Sequence, residues 1–263
     1  MGRERLKQTF SRLKDKGEAA LVSYLMVGYP ELDFSLQAFL TVVQNGTDIL
    51  EVGVPFSDPV ADGPTIQKAH EGALRNGVRL KDVFHQVSKI RENYPEIPIL
   101  LMTYYNPVFR TGLEKFCRMA ADSGADGLIV PDLPPEESGP LKEHTLRADL
   151  SLVLLASPTS TTRRLKLICD TTDDMVYFVS VTGTTGARES LPLERLSQQL
   201  KTYRQVCSKP VVVGFGVSKR EHASALKDIA DGVVVGSALV SLAEDKDLKA
   251  LASKVREIKE ALS

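Results

Sequence analysis

Residues 48 to 64 read Asp48-Ile-Leu-Glu51-Val-Gly53-Val-Pro-Phe-Ser-Asp58-Pro-Val-Ala-Asp62-Gly-Pro64, and the two halves differ in character. The first is a short apolar run of strand composition with one glutamate embedded in it. The second is a loop of Pro and Gly that presents two aspartates. A strand that passes straight into such a loop and then into an amphipathic stretch is the opening of a β/α unit. A carboxylate buried at a strand end costs free energy unless it is paired or protonated, so this unit is also where chemistry is to be sought.

The same alternation extends outward to both ends of the chain. Strands are expected near 20–27, 48–53, 97–103 and 126–130, then near 150–155, 175–180, 210–214 and 231–236. Helix-period segments lie between them, among them Asp33 to Asn45, Leu80 to Asn93, Leu113 to Ser123, Glu136 to Ala148, Leu193 to Val206 and Lys246 to Leu262. Nearly continuous apolar strands, each followed by a helix, imply a parallel sheet covered on its faces, with right-handed crossovers. Eight such units without a composition break predict a single (β/α)8 barrel domain over residues 1–263, of the α/β class. Leu6, Phe10 and Leu13 recur at helical spacing ahead of the first strand, which predicts an extra N-terminal helix closing the bottom of the core. Glu4 and Asp15 set this segment apart from a transit peptide, and it lacks the apolar stretch of a secretory signal.

Composition excludes several classes of function. Hydrophobic residues make up 43% of the 263 and charged residues 25%, as in a globular protein with a substantial core. The net charge is -1, from 33 basic and 34 acidic residues, so no basic excess is available for nucleic acid or an anionic membrane. No apolar run approaches a membrane span. Cys117, Cys169 and Cys207 lie far apart with no CxxC pair, a pattern that predicts a reducing, cytoplasmic setting without a disulfide framework.

In a barrel of this kind the reacting groups come from strand carboxyl ends and the loops after them. Glu51 lies late in the second strand and Asp62 in the loop that follows. Two carboxylates so placed can divide proton transfer, one buried and protonated, the other solvated and charged. Asp58, between Ser57 and Pro59, reads as the residue that shapes the turn. Glycine-bearing stretches follow the last three strands: Val181-Thr-Gly-Thr-Thr-Gly-Ala187, Gly214-Phe-Gly-Val-Ser218 and Val235-Gly-Ser-Ala238. Together with a helix start at Gly236 and Ser237 they predict a phosphate pocket built mainly from backbone N–H groups. Tyr24, Met102, Tyr104, Ile129, Tyr177 and Phe215 sit near strand ends, where they can line a pocket for a flat apolar ring, although core filling explains each of them singly.

The four histidines, His70, His85, His144 and His222, all fall in helical segments, and none is spaced like a metal site, so no metal or other cofactor is expected. No predicted strand carries an internal lysine, and Lys209 precedes the seventh, which disfavours Schiff-base chemistry. Such a site is equipped for proton transfer with the substrate as its own electron sink.

The run from Leu50 to Pro64 closely resembles the signature of the tryptophan synthase alpha chain family. The likeness continues through Gly28-Tyr-Pro30, Tyr104-Tyr-Asn-Pro107, Val130-Pro-Asp-Leu-Pro134, the Thr-Gly-Thr-Thr-Gly-Ala loop, Gly214-Phe-Gly216 and Gly236-Ser-Ala238. The resemblance implies retro-aldol cleavage of indole-3-glycerol phosphate to indole and glyceraldehyde 3-phosphate. In it Glu51 takes the position of the general acid and base, and Asp62 that of the carboxylate which accepts the indole N–H. Gly186, Gly216, Gly236 and Ser237 match phosphate-loop positions; Tyr177 and Phe215 match the indole pocket. The resemblance also implies a pyridoxal-phosphate beta chain as partner in an αββα assembly, and closure between the loops carrying Asp62 and Thr185.

Met26 and Thr184 depart from the family's more usual threonine and valine, which bears on loop closure and not on the two carboxylates. Other readings are a different phosphate-binding barrel enzyme, a non-catalytic regulatory subunit for a beta chain, and a stand-alone indole-releasing lyase. The indole-glycerol-phosphate synthase of the same pathway would need a strand-end lysine that is absent here.

Overall fold

The computed structural model describes residues 2–179, 193–214 and 216–263. The chain opens with α1 (Gly2–Lys16), followed by β1 (Ala20–Met26), α2 (Leu32–Gln44) and β2 (Ile49–Gly53). After the acidic loop come α3 (Pro64–Arg75), α4 (Leu80–Asn93), β3 (Ile99–Met102), α5 (Tyr105–Thr111), α6 (Leu113–Ser123) and β4 (Gly127–Ile129). The second half contains α7 (Gly139–Arg147), β5 (Ser151–Ala156), α8 (Thr162–Thr171), β6 (Val176–Val179), α9 (Leu193–Val206) and β7 (Val211–Gly214). It ends with α10 (Arg220–Lys227), β8 (Gly232–Val235), α11 (Ser237–Glu244) and α12 (Leu248–Leu262).

The eight strands form a closed barrel in sequence order, every pair parallel, with β8 returning to β1 through Ala20 opposite Gly232. The (β/α)8 expectation therefore holds, and each expected strand is present with its ends trimmed or moved by one or two residues. Alternate residues point into the barrel or out to the helices, and both faces are covered, which is why the strands read as unbroken apolar runs. Inward-facing Val22, Ile49, Leu100, Val153, Met175 and Val212 pack with Leu6, Phe10 and Leu13 of α1. Burial of each such side chain contributes roughly 1.5–3 kcal/mol, so α1 is a plug and not an appendage. Its cationic face locks onto carboxylates at the barrel bottom: Arg5 on Asp126 at 2.8 Å, Arg3 on Asp174 at 3.2 Å and Arg12 on Asp48 at 3.4 Å.

The structure departs from the sequence reading at two helices and at the cysteines. The segment expected as one helix from Glu136 to Ala148 is a 3-10 turn at Pro135–Glu137 followed by α7. Pro140 is the cause, because it lacks an N–H and disfavours helical geometry at the residue before it, so it serves in the first turn of a new helix. The last helix starts at Leu248, two residues late, where the Asp247 side chain accepts the Ala250 N–H at 2.9 Å. The expectation of a chain without disulfides is corrected: Cys169 and Cys207 are joined, with Cα atoms 5.7 Å apart. They are 38 residues apart in sequence, and only the side-by-side packing of α8 and α9 brings them together. Cys117 is a free, buried thiol, pushed up to about 12 by desolvation.

Candidate active site

Glu51 stands in the upper barrel, in register with Tyr24 on β1 and Leu100 on β3, and is 1% exposed. Strand-end glycines make space around it. A Cβ on Gly53 would lie 2.5 Å from the Tyr24 hydroxyl, and one on Gly214 would lie 2.9 Å from the Tyr177 ring. Each glycine thus lets a tyrosine from a neighbouring strand lean across the barrel mouth without filling it. The Tyr177 hydroxyl donates to Glu51 Oε2 at 3.4 Å. Desolvation first, and the charge of Asp62 second, push the Glu51 carboxyl up to about 8 against the opposing hydrogen bond from Tyr177. Glu51 therefore holds a proton at neutral pH.

Asp62 is delivered by tight turns, with the Val60 N–H on the Asp58 carbonyl at 2.8 Å and the Asp62 N–H on that of Pro59 at 3.1 Å. Asp58 occupies the turn, as expected of it. The Tyr104 hydroxyl donates to Asp62 Oδ2 at 2.7 Å and accepts the Ala61 N–H at 3.0 Å, while Phe56 stacks on the Tyr104 ring. A second group reaches the same oxygen: His70 Nε2, from α3, at 3.2 Å. Sequence reading set His70 aside because it lies in a helix. The signal that could have found it is its place in the buried stripe Ile66, Ala69, His70, Ala73, a polar ring on the apolar face of the first helix after the acidic loop.

A cavity of about 390 Å³ opens above these groups at the carboxyl ends of the strands. Of the residues singled out from sequence, Tyr24, Glu51, Asp62, Met102, Tyr177, Gly216, Gly236 and Ser237 line it. Tyr104 lies behind Asp62, outside the wall. Ile129 is buried in the barrel core among Leu100 and Val153, below the cavity rather than against it. Thr184, Thr185, Gly186 and Phe215 lie outside the described residues. Gly216 has φ +66°, a conformation costly for residues with a side chain, and Gly236 caps α11. The far wall is apolar, from Leu155, Ala156 and Ile168, and carries Arg164 of α8, paired with Glu136. That arginine was not anticipated, since it comes from the fifth unit and not from the glycine loops. The Tyr24 hydroxyl is buried and has no hydrogen-bond partner among the described residues.

The arrangement joins a protonated carboxyl, a second carboxylate gripped by two donors, an apolar wall and backbone amides at a helix start. Such a site can hold a flat apolar molecule by an anionic tail and move protons on it.

Comparison with known proteins agrees. The sequence profile of the family described as "Tryptophan synthase alpha chain" matches residues 10–263. A protein of that name from Aquifex aeolicus (strain VF5) is 61% identical over 258 residues, spanning 98% of both chains. A solved structure from Aquifex aeolicus VF5 superposes with TM-score 0.93 at 58% identity over 98% of each chain. Tryptophan synthase from Mycobacterium tuberculosis superposes with TM-score 0.92 at 38% identity, also over 98% of each.

Proposed function

The chain belongs to the tryptophan synthase alpha chain family and is a lyase of L-tryptophan biosynthesis that cleaves indole-3-glycerol phosphate to indole and glyceraldehyde 3-phosphate, and from that premise we propose how its residues divide the work. Glu51 is the acid and base. It gives its proton to C3 of the indole ring and takes the proton of the adjacent side-chain hydroxyl. The bond between C3 and the hydroxyl-bearing carbon then breaks, its electrons pass to the ring nitrogen, and the glycerol fragment leaves as an aldehyde. Asp62 accepts the indole N–H and offsets the positive charge that grows on the ring when C3 is protonated. The observation that carries this reading is the Glu51 carboxyl, held protonated at neutral pH by burial beside the charge of Asp62.

Backbone amides around Gly216, Gly236 and Ser237, with Gly186, take the phosphate; Tyr24, Tyr177 and Phe215 border the indole. Tyr104 serves the substrate through Asp62, and closure of the Asp62 loop against the Thr185 loop excludes water. Partnership with a beta chain is a family property. We take that partner to be a pyridoxal-phosphate enzyme that receives the indole in an α2β2 assembly. No described helix is long and apolar enough to cross a membrane, and we assign the chain, as one domain, to the cytoplasm on the grounds of its pathway.

The test is to incubate the purified chain with indole-3-glycerol phosphate, with and without a beta chain, and to follow glyceraldehyde 3-phosphate. The aldehyde should form in both, and Asp62→Asn should lose most of the rate. Absence of product in both conditions overturns the reading in favour of a purely regulatory subunit.

A further inference from the structure

His70 touches the site through a single atom, and its protonation pattern is fixed from the other side of the ring. Its Nδ1 lies 3.0 Å from the Phe56 N–H. A backbone amide can only donate, so Nδ1 is the acceptor and carries no proton. The proton of the neutral ring is then on Nε2, which donates to Asp62 Oδ2 at 3.2 Å. Tyr104 donates to the same oxygen at 2.7 Å. Two donors converging on one oxygen from different elements fix the rotation of the carboxylate, and the other oxygen takes no bond among the described residues.

The ring cannot adapt freely to other roles. His70 is 3% exposed, edge-on to Tyr104 with ring centroids 6.1 Å apart, on a helix that starts at Pro64, two residues after Asp62. Loop and helix thus form one closed circuit: Phe56 N–H to His70, His70 to Asp62, and Asp62 back through its own backbone into α3.

We propose that His70 is the positioning residue of Asp62: it selects which carboxylate oxygen faces the indole N–H and holds that orientation as charge develops on the ring. The proposal rests on the reading of Asp62 as a catalytic carboxylate. His70 itself touches no reacting atom; its effect passes through Asp62. Misplacement of a catalytic group by about 1 Å costs on the order of 100-fold in rate, which sets the scale of the effect.

The test is a double-mutant cycle on the purified chain with its beta chain, reading kcat and KM for indole-3-glycerol phosphate separately. His70→Ala should lower kcat by about 10- to 100-fold with KM changed less than about threefold. His70→Gln, whose amide nitrogen can occupy the place of Nε2, should recover most of that loss, and it carries the test if the alanine variant does not fold. In an Asp62→Asn background, His70→Ala should add little further loss. Additive losses, or a glutamine variant as impaired as the alanine one, would mean that His70 supports the loop and not the carboxylate. Normal kcat in His70→Ala also overturns the proposal. The underlying site reading fails separately, through near-normal turnover in Asp62→Asn alone.

Discussion

The Tyr177 hydroxyl and Glu51 Oε2 meet at 3.4 Å inside the barrel, and this is the hydrogen bond that opposes the rise of the Glu51 carboxyl to about 8. One weak donor does not offset full burial, so the acid form prevails at neutral pH. Loss of that proton removes the general acid. The expected result is a kcat/KM that declines above about pH 8, and a Glu51→Gln variant that folds, binds substrate and loses nearly all turnover at every pH. A wild-type profile flat to pH 9.5 would contradict the assignment.

The same group carries a stability signature. A carboxyl raised in the folded state leaves stability intact below its unfolded value, near 4.5. Stability is then lost as pH rises toward about 8, because the unfolded chain sheds the proton that the folded chain keeps. Glu51→Gln does not titrate. Its stability should therefore gain on that of the wild type between about pH 5 and pH 8, by ~5 kcal/mol at most, and its melting temperature should gain with it. Thermal unfolding scans across that range check it; a constant margin would mean Glu51 ionises normally.

Tyr24 gives a prediction of opposite sign for stability and function. Its hydroxyl is buried and has no hydrogen-bond partner among the described residues, and a buried hydroxyl left unpaired costs about 1–3 kcal/mol. Desolvation pushes its pKa well above the usual phenol range, so it is present as O–H, a donor at the cavity wall beside Glu51. Tyr24→Phe should be neutral or stabilising in the empty protein and should weaken turnover of the hydroxylated substrate by about 5- to 50-fold, the worth of one hydrogen bond to a bound ligand. Affinity for indole-3-propyl phosphate, which lacks the glycerol hydroxyls, should be unchanged. An equal loss for both ligands would place the hydroxyl's role in packing.

The barrel and its acidic loop were legible because they rest on local signals: eight apolar runs, and a strand end that breaks its own pattern at Glu51. Ile129 shows where that logic stops. It sits at a strand end in sequence and pairs directly with Met102 of β3, yet Met102 and Leu155 of the flanking strands reach the cavity while Ile129 is wholly buried, a difference in side-chain packing that periodicity cannot reveal. His70, Arg164 and the Cys169–Cys207 bridge were missed for a related reason. Each acts across elements whose neighbours are decided by closure of the barrel.

Arg91 tests the lower end of the barrel. Its guanidinium donates to the carbonyls of Gly124, Pro95 and Ile97 and pairs with Asp126 at 2.6 Å, while Asp126 also receives the Ile99 N–H at 2.7 Å. Asp126 is fully buried, so Arg91→Ala would leave its charge with Arg5 as the one remaining cation and take a donor from four carbonyls, those of Tyr94, Pro95, Ile97 and Gly124. Removal of one partner of a buried pair costs about 3–5 kcal/mol. The variant should unfold at markedly lower denaturant concentration, with kcat at low temperature little changed, since the active site is at the opposite end. An unfolding free energy within about 0.5 kcal/mol of wild type would show that Asp126 simply protonates.

The disulfide separates stability from catalysis most cleanly. Cys169 closes α8 and Cys207 follows α9, so the bridge ties the trailing ends of the two helices that flank β6 and the segment leading to α9. Those ends lie at the barrel bottom, near Lys209, which donates to the carbonyls of Cys169 and Thr172. A cross-link over 38 residues stabilises by ~4 kcal/mol in the loop-closure account, through restriction of the unfolded chain. Both sulfurs are buried, so reduction of the folded protein should be slow and should follow local opening. The paired Cys169→Ser and Cys207→Ser variant should melt several degrees lower, with kcat at 25 °C within about twofold of wild type. Thiol titration of the denatured, unreduced wild type should return one thiol, that of Cys117, against three after reduction. Three thiols without reductant would mean the bridge does not form in solution, and the chain would then owe its lower-barrel stability to α1 and the Arg91 cluster alone.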